Sequence, residues 1–147
     1  ALKATSNYAA YYPFIKDYDL DREKVPADYT GQKQTGSNTN HLGAYDYLGA
    51  HIMTTNASGG VNFSFDHVGA LVLLRFNVPV AGTALKNVTM SAEGVTFTTK
   101  GTYDLTANGA FTITPASEGG TSSSLNVEVD YTTTADNEEV TVFIHIP

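Results

Sequence analysis

Between Val61 and Val80 the chain reads VNFSFDHVGALVLLRFNVPV, with apolar residues on every second position over much of its length. A period of two is the signature of a strand whose successive side chains point to opposite sheet faces. Val61, Phe63 and Phe65 alternate with Asn62, Ser64 and Asp66. Ala70, Val72, Leu74, Phe76 and Val78 then share a second face, while Leu71 and Leu73 add apolar bulk opposite them. The spacing predicts two adjoining strands joined by a tight link at His67-Val68-Gly69. A strand apolar on both faces is expected at the centre of its sheet or covered on both sides. On this reading Phe65 is buried, and Phe65→Ala is expected to cost roughly 3–5 kcal/mol.

The same grammar runs through the rest of the chain. No window carries apolar residues at helical spacing over three turns. Turn residues recur at short intervals: Ser58-Gly59-Gly60, Ala81-Gly82, Glu93-Gly94, Asn108-Gly109, Glu118-Gly119-Gly120 and Asp136-Asn137. Further strands are predicted at 8–14, 47–53, 85–92, 95–99, 101–106, 110–114, 125–131 and 140–146. Asn108-Gly109, between Tyr103/Leu105 and Phe111/Ile113, is a hairpin signal because Asn-Gly accepts the positive φ of a type I′ turn. Many short strands with regular turn signals indicate an all-β sandwich or barrel. The first 60 residues differ: Asp17–Pro26 reads as a charged loop and Gly31–Gly43 as a polar one. Seven of the nine tyrosines precede Leu48.

At 147 residues the chain fits one domain, expected to span 1–147, and can bury a core without covalent staples. It has no cysteine, which excludes disulfides, thiol catalysis and thiolate metal sites. The longest apolar run, Ala70–Leu74, is far short of a bilayer span. All eight Lys and Arg lie at or before Lys100, and Gly101–Pro147 carries seven acidic residues and no basic one. Such a surface repels phosphate backbones, which argues against nucleic acid and anionic membranes.

Chemistry is sparse. Asp17, Asp19 and Asp21 fall at the first three ligand spacings of a calcium loop, with Asp28 at the last. Arg22 stands where that loop needs glycine, and the reading favours a solvated charged loop with no cofactor. His41, His51, His67 and His145 show no metal-ligand spacing. His67 reads as a structural hydrogen-bonding residue, and His145 alternates outward, at solvent or an interface. Hydrolase and phosphate-loop motifs are absent, so no enzyme activity is expected. Tyr11, Tyr12, Tyr18, Tyr29, Tyr45 and Tyr47 are candidates for a ligand or adhesion surface, since flat aromatic faces stack on sugar rings. Tyrosine serves equally at edges and interfaces, with an apolar body and a polar tip. Pattern and composition alone therefore reach only a soluble all-β domain.

Several segments, in order, carry a resemblance. They are Ala10-Tyr11-Tyr12-Pro13-Phe14, Pro26-Ala27-Asp28-Tyr29-Thr30-Gly31-Gln32, Tyr45-Asp46-Tyr47-Leu48-Gly49-Ala50, and Phe63-Ser64-Phe65-Asp66-His67 running into Ala70–Phe76. Together they resemble the fimbrillin-like proteins of Bacteroides-type bacteria, the subunits and anchors of type V pili. The closing Val140–Pro147 resembles the strand that ends that family's first domain. The resemblance implies a Greek-key β-sandwich, transthyretin-like or immunoglobulin-like, of about 7–10 strands. It also implies a non-enzymatic protein exported to the cell surface or fimbrium, often as an outer-membrane lipoprotein. Partners would be other pilus subunits, joined by adding a β-strand at a sheet edge. Contact with the membrane would be only through a lipid anchor that this chain does not carry. The chain is then one domain or a fragment of a larger surface protein, structural or adhesive in role. The alternative is a surface glycan-binding module of a polysaccharide-uptake lipoprotein.

Overall fold

The computed structural model describes residues 6–16, 23–54, 60–107 and 109–147. Within them the chain is an all-β sandwich with one four-residue helix. The strands are β1 (Asn7–Tyr12), β2 (Lys24–Asp28), β3 (Gln32–Thr35), β4 (Leu48–Thr54), β5 (Asp66–His67) and β6 (Ala70–Val78). After them come β7 (Ala84–Ser91), β8 (Phe97–Thr98), β9 (Lys100–Asp104), β10 (Ile113–Pro115), β11 (Thr121–Ser122), β12 (Ser124–Thr132) and β13 (Glu138–Ile146). The helix, α1 (Leu42–Tyr45), lies between β3 and β4. Thirteen strands exceed the expected number because β5, β8 and β11 are two-residue pieces.

Two apolar cores form. Sheets β1-β4-β5 and β10-β9-β2 enclose the first, built on Val25, Tyr29, Tyr47, Tyr103, Phe111 and Ile113. Sheets β3-β12-β7 and β13-β6 enclose the second, in which Leu125, Val127 and Val129 meet Val140, Val142 and Ile144. The strict alternation of β12 and β13 produces this second core directly. Each strand puts every other apolar side chain inward, and these six are 0–4% exposed. β3 is the exception to antiparallel pairing: it runs parallel to β12, with Val127 opposite Gln32 and Val129 opposite Gln34.

Several sequence expectations need correction. Residues 61–65 form no strand, and only Asp66–His67 pairs, with β4. Phe63 and Phe65 are 38% and 45% exposed, so the alternation there marks no core face. The His67-Val68-Gly69 link does not fold a hairpin either. It carries the chain from the sheet of β4 to the sheet of β13. It passes so close to its neighbours that a Cβ on Gly69 would lie 2.3 Å from the Ile146 carbonyl oxygen and 2.5 Å from the Tyr29 hydroxyl. β6 is neither central nor covered. Among the described residues it pairs only with β13, and Leu71 and Leu73 are exposed.

The first 60 residues hold more structure than their polarity suggested. β2 lies partly in the supposed charged loop and β3 in the supposed polar one. β2 pairs with β9 over its whole length, which places Val25 and Ala27 in the first core. The hairpin signal at Asn108-Gly109 is half right. β9 and β10 do pair, but Tyr103 faces Ile113. A two-residue turn at 108–109 would set Tyr103 opposite Thr114, so a longer connection joins the strands. Residue 108 itself lies outside the described residues.

Candidate functional site: the open edge of a two-stranded sheet

β13 and β6 pair in unbroken antiparallel register, from Glu138 opposite Val78 to Ile146 opposite Ala70. In such a ladder the N–H and C=O of alternate residues point to opposite edges. On β13, the groups of Thr141, Phe143 and His145 point away from β6, toward β3. There they meet side chains rather than a strand. Gln32 Oε1 accepts from the His145 N–H at 2.8 Å, and Gln32 Nε2 donates to the His145 carbonyl at 2.8 Å. Gln34 Oε1 accepts from the Phe143 N–H at 3.0 Å, and its Nε2 donates to the Thr141 carbonyl at 2.8 Å. Each carboxamide carries one acceptor and an NH2 donor, the same pair as a peptide unit. Both glutamines are buried, at 0–1% exposure. The second edge of β13 is thus closed by two carboxamides standing in for a strand.

β6 has no such cover. By register, the groups that point outward belong to Leu71, Leu73 and Arg75, the partners of His145, Phe143 and Thr141. Among the described residues no strand meets them. The inner face shows the same vacancy. Val72, Leu74 and Phe76 belong to the second core but are only half-buried, whereas their partners Ile144, Val142 and Val140 are buried. Across the sandwich β7 is also an edge, with Leu85, Val88 and Met90 half-buried. The two edges flank an open side of the core, where the two-stranded sheet is one strand narrower than the three-stranded sheet facing it.

The edges differ chemically. β7 presents Lys86, Asn87, Thr89 and Ser91 to solvent. Lys86 is the kind of charge that keeps edges from pairing with other chains. β6 presents Leu71 and Leu73, at 47% and 46% exposure, and one charge, Arg75. A long, apolar, unpaired edge strand is a template for a strand from another chain.

The turn that starts β13 is fixed by Glu138. Its carboxylate accepts from the Tyr131 hydroxyl, from Thr134 N–H at 2.5 Å and from Ala135 N–H at 3.0 Å. These bonds, that from Tyr131 foremost, hold its pKa down at about 2. The turn is therefore clamped at neutral pH, which sets where β13 begins against β6.

The tyrosines do not form one surface. Tyr29 and Tyr47 lie in the first core, their rings edge-to-face at 5.2 Å, and burial pushes the Tyr29 phenol upward. The Tyr47 hydroxyl donates to the Asp28 carbonyl at 3.0 Å. Tyr11 and Tyr45 pack partly buried against that core, and Tyr45 donates to the Gly31 carbonyl at 2.9 Å. Tyr12 is 44% exposed. Tyr18 and the acidic positions Asp17, Asp19 and Asp21 lie outside the described residues. Buried rings offer no face for a sugar to stack on. Of the five that are described, only Tyr12 is exposed; Phe14, Phe63 and Phe65 are exposed aromatics as well.

The histidines are also redistributed. His67 Nδ1 meets Asp46 Oδ1 at 2.6 Å, a structural contact as expected. His145, expected at solvent or an interface, is 6% exposed beneath the segment that carries α1. Among the described residues no group of three or more His, Asp or Glu is placed to hold a metal ion, and no helix is long and apolar enough to cross a membrane.

No sequence signal marked the open edge. The alternation in β6 and β13 is the same, and the glutamines that distinguish them sit in a stretch read as a loop. Comparison with known proteins supplies the context for such an edge. No curated protein and no solved structure matches the chain. One family model does, described as fimbrillin-like, over residues 3–147. That family suggests a fimbrial component at the cell surface that assembles with other pilus subunits. With the match spanning nearly the whole sequence, the chain belongs to the fimbrillin-like family.

Proposed function

We propose that this chain is a non-enzymatic structural component of a surface filament that accepts a β-strand from a neighbouring subunit along β6. Residues 1–147 act in this reading as one sandwich domain of a larger outer-membrane or fimbrial protein. The observation that carries it is the contrast within one sheet: β13 has its second edge closed by Gln32 and Gln34, while β6 offers outward amides and half-buried core residues. An added strand would pair with the amides of Leu71, Leu73 and Arg75. Its apolar side chains would complete the burial of Val72, Leu74 and Phe76. Main-chain bonds would give affinity, and the alternate side chains that fill the core would give specificity.

The test is incorporation of the full-length protein into sheared, detergent-resistant surface filaments. The double change Leu71→Lys, Leu73→Lys places charge on the solvent side of the edge and leaves the pairing with β13 intact. Incorporation is expected to fall at least tenfold with the melting temperature unchanged. Wild-type incorporation of the doubly substituted protein would exclude β6 as the joining edge.

An adhesive or glycan-binding role is the second reading. It is favoured by the exposed rings of Tyr12, Phe14, Phe63 and Phe65. A glycan array with the folded domain tests it: micromolar binding lost on Tyr12→Ala and Phe14→Ala supports it, and an empty array removes it.

A further inference from the structure

Three histidines and one carboxylate meet where β6 begins and β13 ends. His145 stands on the outer face of β13, opposite Leu71. The chain from His41 to Asp46, including α1, lies over it. The Tyr45 ring centroid is 6.5 Å from that of His145, and the Leu42 carbonyl lies near the imidazole. His41 Nε2 approaches the Phe143 carbonyl at 3.5 Å. At the far end of the segment, Asp46 is held by His67 of β5 at 2.6 Å. Two polar atoms in this arrangement have no partner: His145 Nε2 and His41 Nδ1 are buried and make no hydrogen bond.

A neutral imidazole has one N–H donor and one bare acceptor. Taken as that bare acceptor, the buried Nε2 of His145 costs little unpaired. Adding a proton changes this. The new N–H would point into a place with no acceptor, and the ring would carry a buried charge. Of the groups around it, His41 and His67 add repulsion and no negative charge. Asp46 is the one anion, and it is already engaged by His67. From β3 comes uncharged Gln32, from β6 apolar Leu71, and from α1 the Tyr45 ring.

We propose that the His41–Asp46 segment is an acid-released flap, closed over β13 while His145 is neutral and freed when His145 takes a proton. His67 holds Asp46 at the far end of the segment, so release starts at α1 and leaves the Asp46 end anchored. Opening would uncover Phe143 and His145 beside Leu71 and Leu73, across a cavity of about 260 Å³ lined by Asp46, His67, Gly69, Leu71 and His145. It would widen the apolar surface at the start of β6. The flap stands on its own geometry, whether or not β6 accepts a strand.

The sign follows from burial. Burial, the largest influence, lowers the pKa of His145 below the ordinary value of 6.5; His41 and His67 push the same way, and Asp46 and the Leu42 carbonyl oppose them. The open flap therefore binds the proton more tightly than the closed one. Closure is fully favoured above about pH 6.5 and weakens as pH falls from there toward the lowered value.

Hydrogen exchange on the intact chain tests it, with rates corrected for the intrinsic effect of pH. The amides of Ala44 and Asp46 are hydrogen-bonded within the flap. Between pH 7.5 and 5.5 their protection is expected to fall by roughly tenfold, close to the limit for a single proton over one pH unit. Amides of β12 serve as the unchanged reference. His145→Phe keeps a ring against Tyr45 and cannot be protonated, so protection should become independent of pH. Equal protection at both pH values in the unaltered chain overturns the proposal, as does an undiminished pH effect in His145→Phe. Should that variant not fold, the His145 titration followed by NMR in the unaltered chain decides. A midpoint below 6.5 supports the flap, and one at or above 6.5 overturns it.

Discussion

β13 and β6 are partners in one sheet, each of nine residues, each with an apolar residue at every second position. They end in different states. The inner residues of β13 are buried and its free edge is closed by two carboxamides. The inner residues of β6 are half-buried and, among the described residues, no strand lies along its free edge. The difference teaches that alternation specifies the faces of a strand and leaves its edges unspecified. Faces follow from the strand's own side chains, whereas an edge is decided by whatever the rest of the chain lays beside it.

The largest test of this contrast is truncation on the inner faces. Ile144→Ala in β13 removes a side chain that is 0% exposed and should cost about 2–5 kcal/mol. Leu74→Ala in β6 removes a side chain of similar size from a half-exposed position. It should cost less, about 1–2 kcal/mol, because part of that surface is wet already. Chemical denaturation of both variants measures the gap. Equal losses would mean that β6 is as enclosed as β13, and the open groove would not exist.

The faces of these strands were legible from residues 70–78 and 140–146 alone. Leu125, Val127 and Val129 were equally legible on β12, and the all-β class followed from the turn spacing. What could not be read was long-range. Gln32-Lys33-Gln34 has no apolar content, so it reads as loop, yet it is a strand because β12 lies beside it and two backbone edges need its amides. Phe63 and Phe65 show the converse. Their alternation is as regular as any in the chain, but a core face needs an opposing layer, and none covers them among the described residues. The tyrosines were visible as a group but not sorted. Tyr29 and Tyr47 entered the core because β2 brought Val25 and Ala27 with it, a pairing with β9 more than 70 positions away along the chain.

The closed edge can be opened. Gln32→Leu keeps the bulk of the side chain and removes both bonds to His145. Each buried backbone group left without a partner costs about 1–3 kcal/mol, and relaxation of the segment should limit the sum. Lys33→Leu is the control on the same strand. Lys33 makes an exposed ion pair with Glu128, a kind of contact worth about 0–1 kcal/mol. If the two changes cost the same, the glutamines are not acting as a strand. Exchange rates should agree with stability: the amides of Phe143 and His145 should lose protection in Gln32→Leu or Gln34→Leu, and those of the β13 residues bonded to β6 should keep theirs.

The smallest expected effect bears on the piece of sequence that most resembled β6. Phe65→Ala should change stability by no more than about 0.5–1 kcal/mol, the range of a surface substitution that loses one aromatic neighbour. That neighbour is Phe63, its ring 6.2 Å away and tilted by 44°. The alternation in residues 61–66 would have put the cost several-fold higher, so a thermal melt discriminates well. A loss of about 3 kcal/mol or more would show that something covers these rings in solution, and that residues 61–65 belong to a sheet after all. A small loss would confirm that the apolar alternation preceding β6 builds no core. It would also leave Phe63 and Phe65 as surface aromatics, free to serve contacts between molecules rather than within one.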